Sequence, residues 1–191
     1  MKHLPNLLTS LRILLVPFYG WALLAEGGDN GWLRLLAWGV FFVAMVTDKV
    51  DGDLARKYGV VSSFGKIADP IADKLLTGMA FVGLSILGDI WWWVTIVVLV
   101  REWLVTVVRL VVASKVVLAA DQLGKWKTTI QGLALGGLTL PLRDPDATPF
   151  WHGVGEVFYY AFQLCLVAAV VLTLVSGYQF FADLRRKTAR A

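Results

Sequence analysis

Long apolar runs alternate with short polar breaks along this chain, and the runs predict helices over residues 7–25, 32–55, 66–87, 91–114, 128–140 and 154–181. A helix needs about 20 residues to cross the hydrocarbon core of a bilayer. Most of these runs are long enough, and the fifth becomes so only if Trp126 and Lys127 belong to it. The breaks carry turn residues: Glu26-Gly-Gly-Asp-Asn-Gly31, Gly88-Asp89, and Pro141-Leu-Arg-Asp-Pro-Asp146. The pattern predicts an all-α integral membrane protein, a bundle of about six spans. No linker or low-complexity stretch divides it, so residues 1–191 read as one membrane-embedded domain.

Composition supports that class. The 191 residues are 58% hydrophobic and 17% charged, against roughly 45–50% and 25% in soluble domains. Nine Trp suit interfacial belts. The single cysteine, Cys165, excludes an intramolecular disulfide and a Cys-based metal site. The opening Met1-Lys-His-Leu-Pro-Asn6 shows no secretory cleavage pattern. No nucleic-acid partner is expected.

The net charge of +4 says less than where the charges fall. Lys2, Arg12, Arg56, Lys57, Lys66, Lys115, Lys125, Lys127, Arg185, Arg186, Lys187 and Arg190 all belong to one side of the predicted bundle. The other side holds Glu26, Asp29, Asp89, Asp144 and Asp146, with only Arg34 and Arg143 nearby. The positive-inside rule then predicts cytoplasmic termini in a cytoplasmic (inner) membrane, consistent with an even number of spans. The basic tail reads as a topology anchor or a contact for anionic membrane lipids.

Against this apolar background stands Asp48-Lys-Val-Asp51-Gly52-Asp-Leu-Ala55-Arg56, followed by Gly65-x-x-x-Asp69-x-x-x-Asp73. Steps of three and four residues put 48, 51, 52, 55 and 56 on one helical face, and Asp69 and Asp73 on one face of the next helix. Ionisable groups at membrane depth face the bundle interior or a water-filled cavity. Four converging carboxylates need counter-charge, and an all-oxygen set suits Mg²⁺ or Mn²⁺. Asp73 precedes Asp89 by sixteen residues, about 24 Å of helix, which places the group near the cytoplasmic surface. Soluble motifs fit poorly: the calcium-loop alternation and its terminal Glu are missing, and the stretch from Gly59 to Lys66 lacks the spacing and the Ser/Thr of a P-loop. An ion pathway would use the carboxylates but not Gly52 and Gly65, where a bulky ligand can approach the backbone.

Asp-x-x-Asp-Gly-x-x-Ala-Arg, eight residues, then Gly-x-x-x-Asp-x-x-x-Asp resembles the signature of the CDP-alcohol phosphotransferase family, with every fixed position present. The resemblance implies a six-transmembrane-helix bundle, a homodimer, two divalent cations (Mg²⁺ or Mn²⁺), and transfer of a phosphatidyl or related group from a CDP-linked donor to an alcohol with release of CMP. It implies Asp48, Asp51, Asp69 and Asp73 as metal ligands, with Asp73 also the general base. It places CDP-diacylglycerol against Asn6, Gly52, Ala55, Arg56, Ser62 and Gly65.

A second region bears on the alcohol: Arg101-Glu102, Arg109, and Gly124-Lys125-Trp-Lys127-Thr128-Thr129-x-Gln131. Glu102 and Arg109 are seven residues apart on a helix and are expected to be able to pair. Arg101, Arg109 and Lys125 together lack enough local acids, which an anionic acceptor would supply. Lys127 could equally be a positive-inside anchor. These residues, with Pro5-Asn6-Leu-Leu-Thr9-x-x-Arg12, are similar to the branch of the family that forms phosphatidylglycerophosphate. That likeness implies glycerol 3-phosphate as acceptor, its phosphate held by Arg101, Arg109 and Lys125. Inositol or inositol phosphate, a lipid acceptor as in cardiolipin synthesis, and a metal-binding membrane transporter remain open alternatives. Residues 114–121 do not align with the family pattern. Gly132-x-x-x-Gly136 reads as a helix-packing motif, within the chain or between copies.

Overall fold

The computed structural model describes the backbone of residues 4–58, 63–112, 122–143 and 149–188, and side chains within 9–48, 69–112, 123–143 and 149–186. Among these residues the fold is all-helical: α1 Leu4–Leu24, α2 Gly31–Tyr58, α3 Ser63–Ile86, α4 Trp92–Val112, α5 Gln122–Thr139 and α6 Pro149–Thr188. The expected position of Ser62 and the unaligned stretch 114–121 lie outside the described residues, as do the side-chain surroundings of Asn6, Asp51, Gly52, Ala55, Arg56 and Gly65.

The polar breaks act as the sequence implies. A 3₁₀ turn, Ala25–Gly28, follows α1, and Gly27 and Gly28 take φ of 70° and 81°, a backbone region that glycine enters without steric cost. Asn30 then caps α2, its Oδ1 accepting from the amides of Trp32 at 3.0 Å and Leu33 at 3.2 Å. The largest departures from the apolar pattern are in α5 and α6. α5 begins at Gln122, so Trp126 and Lys127 do belong to it, and α6 extends beyond 154–181 at both ends. Forty residues of α6 make about 60 Å of helix, so its basic C-terminal turns run well past a hydrocarbon core of about 30 Å.

Among the described residues, two stretches are apolar and long enough to cross a membrane, Gly31–Asp48 and Pro149–Arg186. In α3 and α4 the apolar run is interrupted by Asp69, Asp73 and Lys74, and by Arg101, Glu102 and Arg109. Those charges turn out to belong to the site.

α1 packs against α2 and α3, and α5 against α6. The core between them is built from Tyr19, Leu23, Phe41, Phe81, Leu84, Leu135 and Leu138. Small residues let the backbones approach. A Cβ on Gly20 would stand 2.8 Å from Met79 Sδ, and one on Gly136 would stand 3.5 Å from Phe41. A Cβ on Gly132 would run into Met45. The Gly132/Gly136 pair thus packs α5 on α2 within the chain.

The end of the bundle bearing the α1–α2 turn is closed by Arg34. Its Nη2 donates to Asp89 Oδ2 and to the Leu138 carbonyl, each at 2.8 Å, and its Nε donates to the Thr139 carbonyl at 3.2 Å. The last carbonyls of α5 are thereby satisfied. Gln163, to which the sequence assigns no role, donates to the Asp89 carbonyl at 2.7 Å. The opposite end is left for chemistry.

Candidate active site

The start of α1, the end of α2, the start of α3, the end of α4, the start of α5 and the end of α6 meet at that second end. There a cavity of about 1270 Å³ opens, and Asp48, Asp69 and Asp73 all line it. Helical spacing accounts for Asp69 and Asp73 sharing a face, and the packing of α1 accounts for Asp48 joining them.

α1 supplies two partners that the sequence pattern does not reveal. Arg12, 1% exposed, sets Nη1 2.5 Å from Asp48 Oδ1. Thr9, also buried, donates from Oγ1 to Asp69 Oδ1 at 2.5 Å. Arg12 was expected on the basic side of the bundle and within the opening Pro5–Arg12 likeness, without a partner. It is instead a buried counter-charge at the signature.

Among the described residues no three His, Cys, Asp or Glu side chains stand together as a metal cage, and Asp51 lies outside them. The donor chemistry nevertheless suits a hard cation: three carboxylates line the one cavity, offering oxygen alone.

From the carboxylates the cavity extends in two directions of different character. One arm runs between α2 and α5, lined by Met45, Phe42, Phe41 and Trp38 on one side and by Gly132, Leu133, Gly136 and Leu140 on the other. From Asp48 to Trp38 is about 15 Å of helix, and this arm is apolar. The other runs between α4 and α6, where Arg101, Arg109, Gln179 and Asp183 stand beside Val105, Leu110 and Phe180, and it carries the charged groups.

All three residues expected to meet an acceptor phosphate, Arg101, Arg109 and Lys125, line this cavity. Their settings differ. Arg109 and Lys125 are exposed, and Arg109 lies with Cζ 5.6 Å from the Phe180 ring centroid, a cation–π contact. Arg101 is largely buried, with Nη1 donating to Glu102 Oε1 and Nη2 to Ser176 Oγ, both at 2.8 Å.

The sequence reading needs two corrections here. Glu102 pairs not with Arg109 but with Lys74 of α3, Arg101 of α4 and Lys127 of α5. The seven-residue spacing allows the Arg109 contact, yet lysines from two other helices reach the carboxylate. Lys127 is also no surface anchor: it is 5% exposed and bound to Glu102. Lys74, which follows the last signature aspartate, was missed altogether. Its Nζ contacts Glu102 and stands 3.4 Å from Asp73 Oδ2. A lysine directly after the last signature aspartate was the available signal.

A model of the CDP-alcohol phosphatidyltransferase family matches residues 2–176. The chain is 42% identical over 182 residues to the probable phosphatidylglycerophosphate synthase of Mycobacterium tuberculosis, covering 95% of this chain and 81% of that protein. It is 38% identical over 193 residues to the CDP-diacylglycerol–glycerol-3-phosphate 3-phosphatidyltransferase of Bacillus subtilis, covering 95% of each. The protein of that same name in Rickettsia typhi is 36% identical over 182 residues, covering 95% of this chain and 96% of its own. With its apolar helices and a match across nearly its whole length, this chain belongs to the CDP-alcohol phosphatidyltransferase family as an integral membrane enzyme.

Proposed function

We propose that the chain transfers the phosphatidyl group of CDP-diacylglycerol to sn-glycerol 3-phosphate, forming phosphatidylglycerophosphate and CMP. The observation that carries this reading is a single cavity in which three carboxylates stand between an apolar arm and a cationic one. The donor is an acyl lipid with a pyrophosphate head, and the acceptor is a small phosphorylated alcohol. Relatives at 36% and 38% identity named for this donor and acceptor support the same choice.

The acceptor hydroxyl attacks the phosphorus bearing diacylglycerol. A new P–O bond forms as the bond to the CMP oxygen breaks, and the hydroxyl proton passes to Asp73. Asp48, Asp51, Asp69 and Asp73 would hold two divalent cations, Mg²⁺ or Mn²⁺, which supply charge cancellation at the pyrophosphate. Arg12 and Thr9 orient two of those carboxylates from α1. Arg56, whose planar fork suits phosphate oxygens, holds the CDP part with Gly52 and Ser62, and Asn6, Ala55 and Gly65 complete that side. The α2–α5 arm takes an acyl chain of the donor. Arg101, Arg109 and Lys125 draw the acceptor phosphate into the α4–α6 arm.

In this reading six helices span the membrane as one domain, and the distribution of Lys and Arg puts the site and both termini on the cytoplasmic side. The family resemblance adds a homodimer.

Purified protein given CDP-diacylglycerol, Mg²⁺ or Mn²⁺, and each alcohol in turn tests the reading. CMP release with glycerol 3-phosphate alone supports it. Release with inositol phosphate alone would replace the acceptor. No release with any alcohol, alongside metal flux into liposomes, would favour a transporter.

A further inference from the structure

Glu102 is 3% exposed, and three cations converge on it from three helices: Lys74, Arg101 and Lys127. A cluster built only to lock helices together would neutralise itself, since uncompensated buried charge is costly. This one sets three cations against Glu102 and, through Lys74, Asp73, which leaves an excess of one positive charge, and all five residues line the catalytic cavity. Lys74 is also near Asp73, at 3.4 Å. That neighbour is a carboxylate of the reaction centre, so the excess lies beside the reacting groups. Arg101 is held on its far side by Ser176, and α6 comes close at Gly177, where a Cβ would stand 2.9 Å from Arg101 Nε. That Nε is buried and has no hydrogen-bond partner. An anion in the cavity is the ligand that would satisfy the excess charge.

We propose that Lys74, Arg101 and Lys127 form the subsite for the acceptor's phosphate dianion, and that Glu102 is the positioning residue that assembles them. The substrate class rests on the proposed reaction; the cluster and its preference for a phosphate dianion do not. Glu102 touches no reacting atom. It keeps three mutually repelling cations within reach of one phosphate and orients them from one side. Lys74 then connects phosphate recognition to Asp73, so an acceptor seated on the cluster brings its hydroxyl toward the carboxylates. Arg109 and Lys125, both exposed, attract the anion, and the buried cluster fixes it.

Two accounts of Glu102 predict opposite signs. If it were only a negative charge near an anion site, Glu102→Gln would tighten phosphate binding. If it assembles the site, the same change lets the cations separate and weakens binding. The test uses the purified full-length protein in nanodiscs, with thermal stabilisation by inorganic phosphate measured alongside steady-state kinetics. Wild type should show saturable stabilisation by phosphate. Glu102→Gln should weaken it about tenfold, as expected for loss of a charge-assisted contact, and Glu102→Asp should recover part of it. KM for glycerol 3-phosphate should rise in parallel, while KM for CDP-diacylglycerol stays as in wild type. Equal or tighter phosphate binding by Glu102→Gln would overturn the positioning role.

If Glu102→Gln does not fold, Lys127→Met and Lys74→Met carry the test. Each should weaken phosphate binding, and no change in either would overturn the subsite. Arg143→Gln, at the far end of the molecule, should match wild type throughout. The predicted phosphate pattern without CMP release from glycerol 3-phosphate would leave the cluster standing and remove the reaction. CMP release with unchanged acceptor KM in the variants would do the reverse.

Discussion

Arg12 Nη1 lies 2.5 Å from Asp48 Oδ1, so a buried cation of the first helix is fastened to the leading carboxylate of a signature that starts 36 residues later. Thr9, one turn before Arg12, does the same for Asp69. α1 carries none of the signature, yet it aligns carboxylates from two other helices. The site is thus a property of three packed helices and not of one motif.

Replacing Arg12 with Met should therefore weaken fold and catalysis together. Asp48 is about half-exposed, 46% for its side chain, so water offsets part of the lost pairing. The expected cost is about 1–2 kcal/mol, read as a lower midpoint of thermal unfolding, with reduced kcat. Arg12→Lys keeps the charge but loses the planar fork and should fall between the two. Full activity in Arg12→Met would show that α1 does not orient the site.

Asp73→Asn should reduce kcat by about 10²–10⁴-fold, the usual contribution of a general base. Binding of CDP-diacylglycerol, followed by equilibrium binding of labelled donor, should change little. Near-normal turnover would remove Asp73 as the base.

The carboxylates were legible because their spacing repeats at three and four residues, and Asp48, Asp69 and Asp73 do share one cavity. The partners of those carboxylates were not. Periodicity reports which residues share a face of one helix, and it is silent on which helix lies opposite. Arg12 and Lys127 therefore stood in recognisable motifs without partners, and Glu102 looked like a partner for Arg109. The all-helical architecture followed from the apolar runs. The ends of α5 and α6 did not, because their polar terminal turns continue the helix without continuing the hydrophobic pattern.

Neighbouring glycines of α5 should respond differently to the same substitution. A Cβ on Gly136 meets Phe41 at 3.5 Å, ordinary contact, whereas one on Gly137 would run into the Phe162 ring. Gly137→Ala should cost about 1–3 kcal/mol through overpacking. Gly136→Ala should be neutral or slightly stabilising, because alanine favours helix by up to about 1 kcal/mol. Thermal unfolding of the two variants in one detergent compares them directly, and equal midpoints would contradict the packing of α5 on α6.

Gly136→Leu probes the apolar arm itself. A leucine there should obstruct the groove between α2 and α5. KM should rise for a long-chain CDP-diacylglycerol and change less for a short-chain analogue. The same rise with both donors would argue that the arm holds no acyl chain.

Arg34→Met should separate stability from chemistry. Arg34 bonds Asp89 and the last carbonyls of α5 at the end of the bundle away from the carboxylates. Its loss should lower stability by about 2–3 kcal/mol, in the range for hydrogen bonds to charged groups. The kcat/KM of the folded fraction should remain that of wild type. A specific loss of kcat would mean that the two ends of the bundle are coupled.

The central claim is tested most directly in proteoliposomes containing CDP-diacylglycerol and radiolabelled sn-glycerol 3-phosphate. The account predicts divalent-cation-dependent incorporation of label into lipid, one CMP released per label, and loss of both in Asp69→Asn. Label that stays water-soluble while CMP is released, or incorporation that persists in Asp69→Asn, would contradict it.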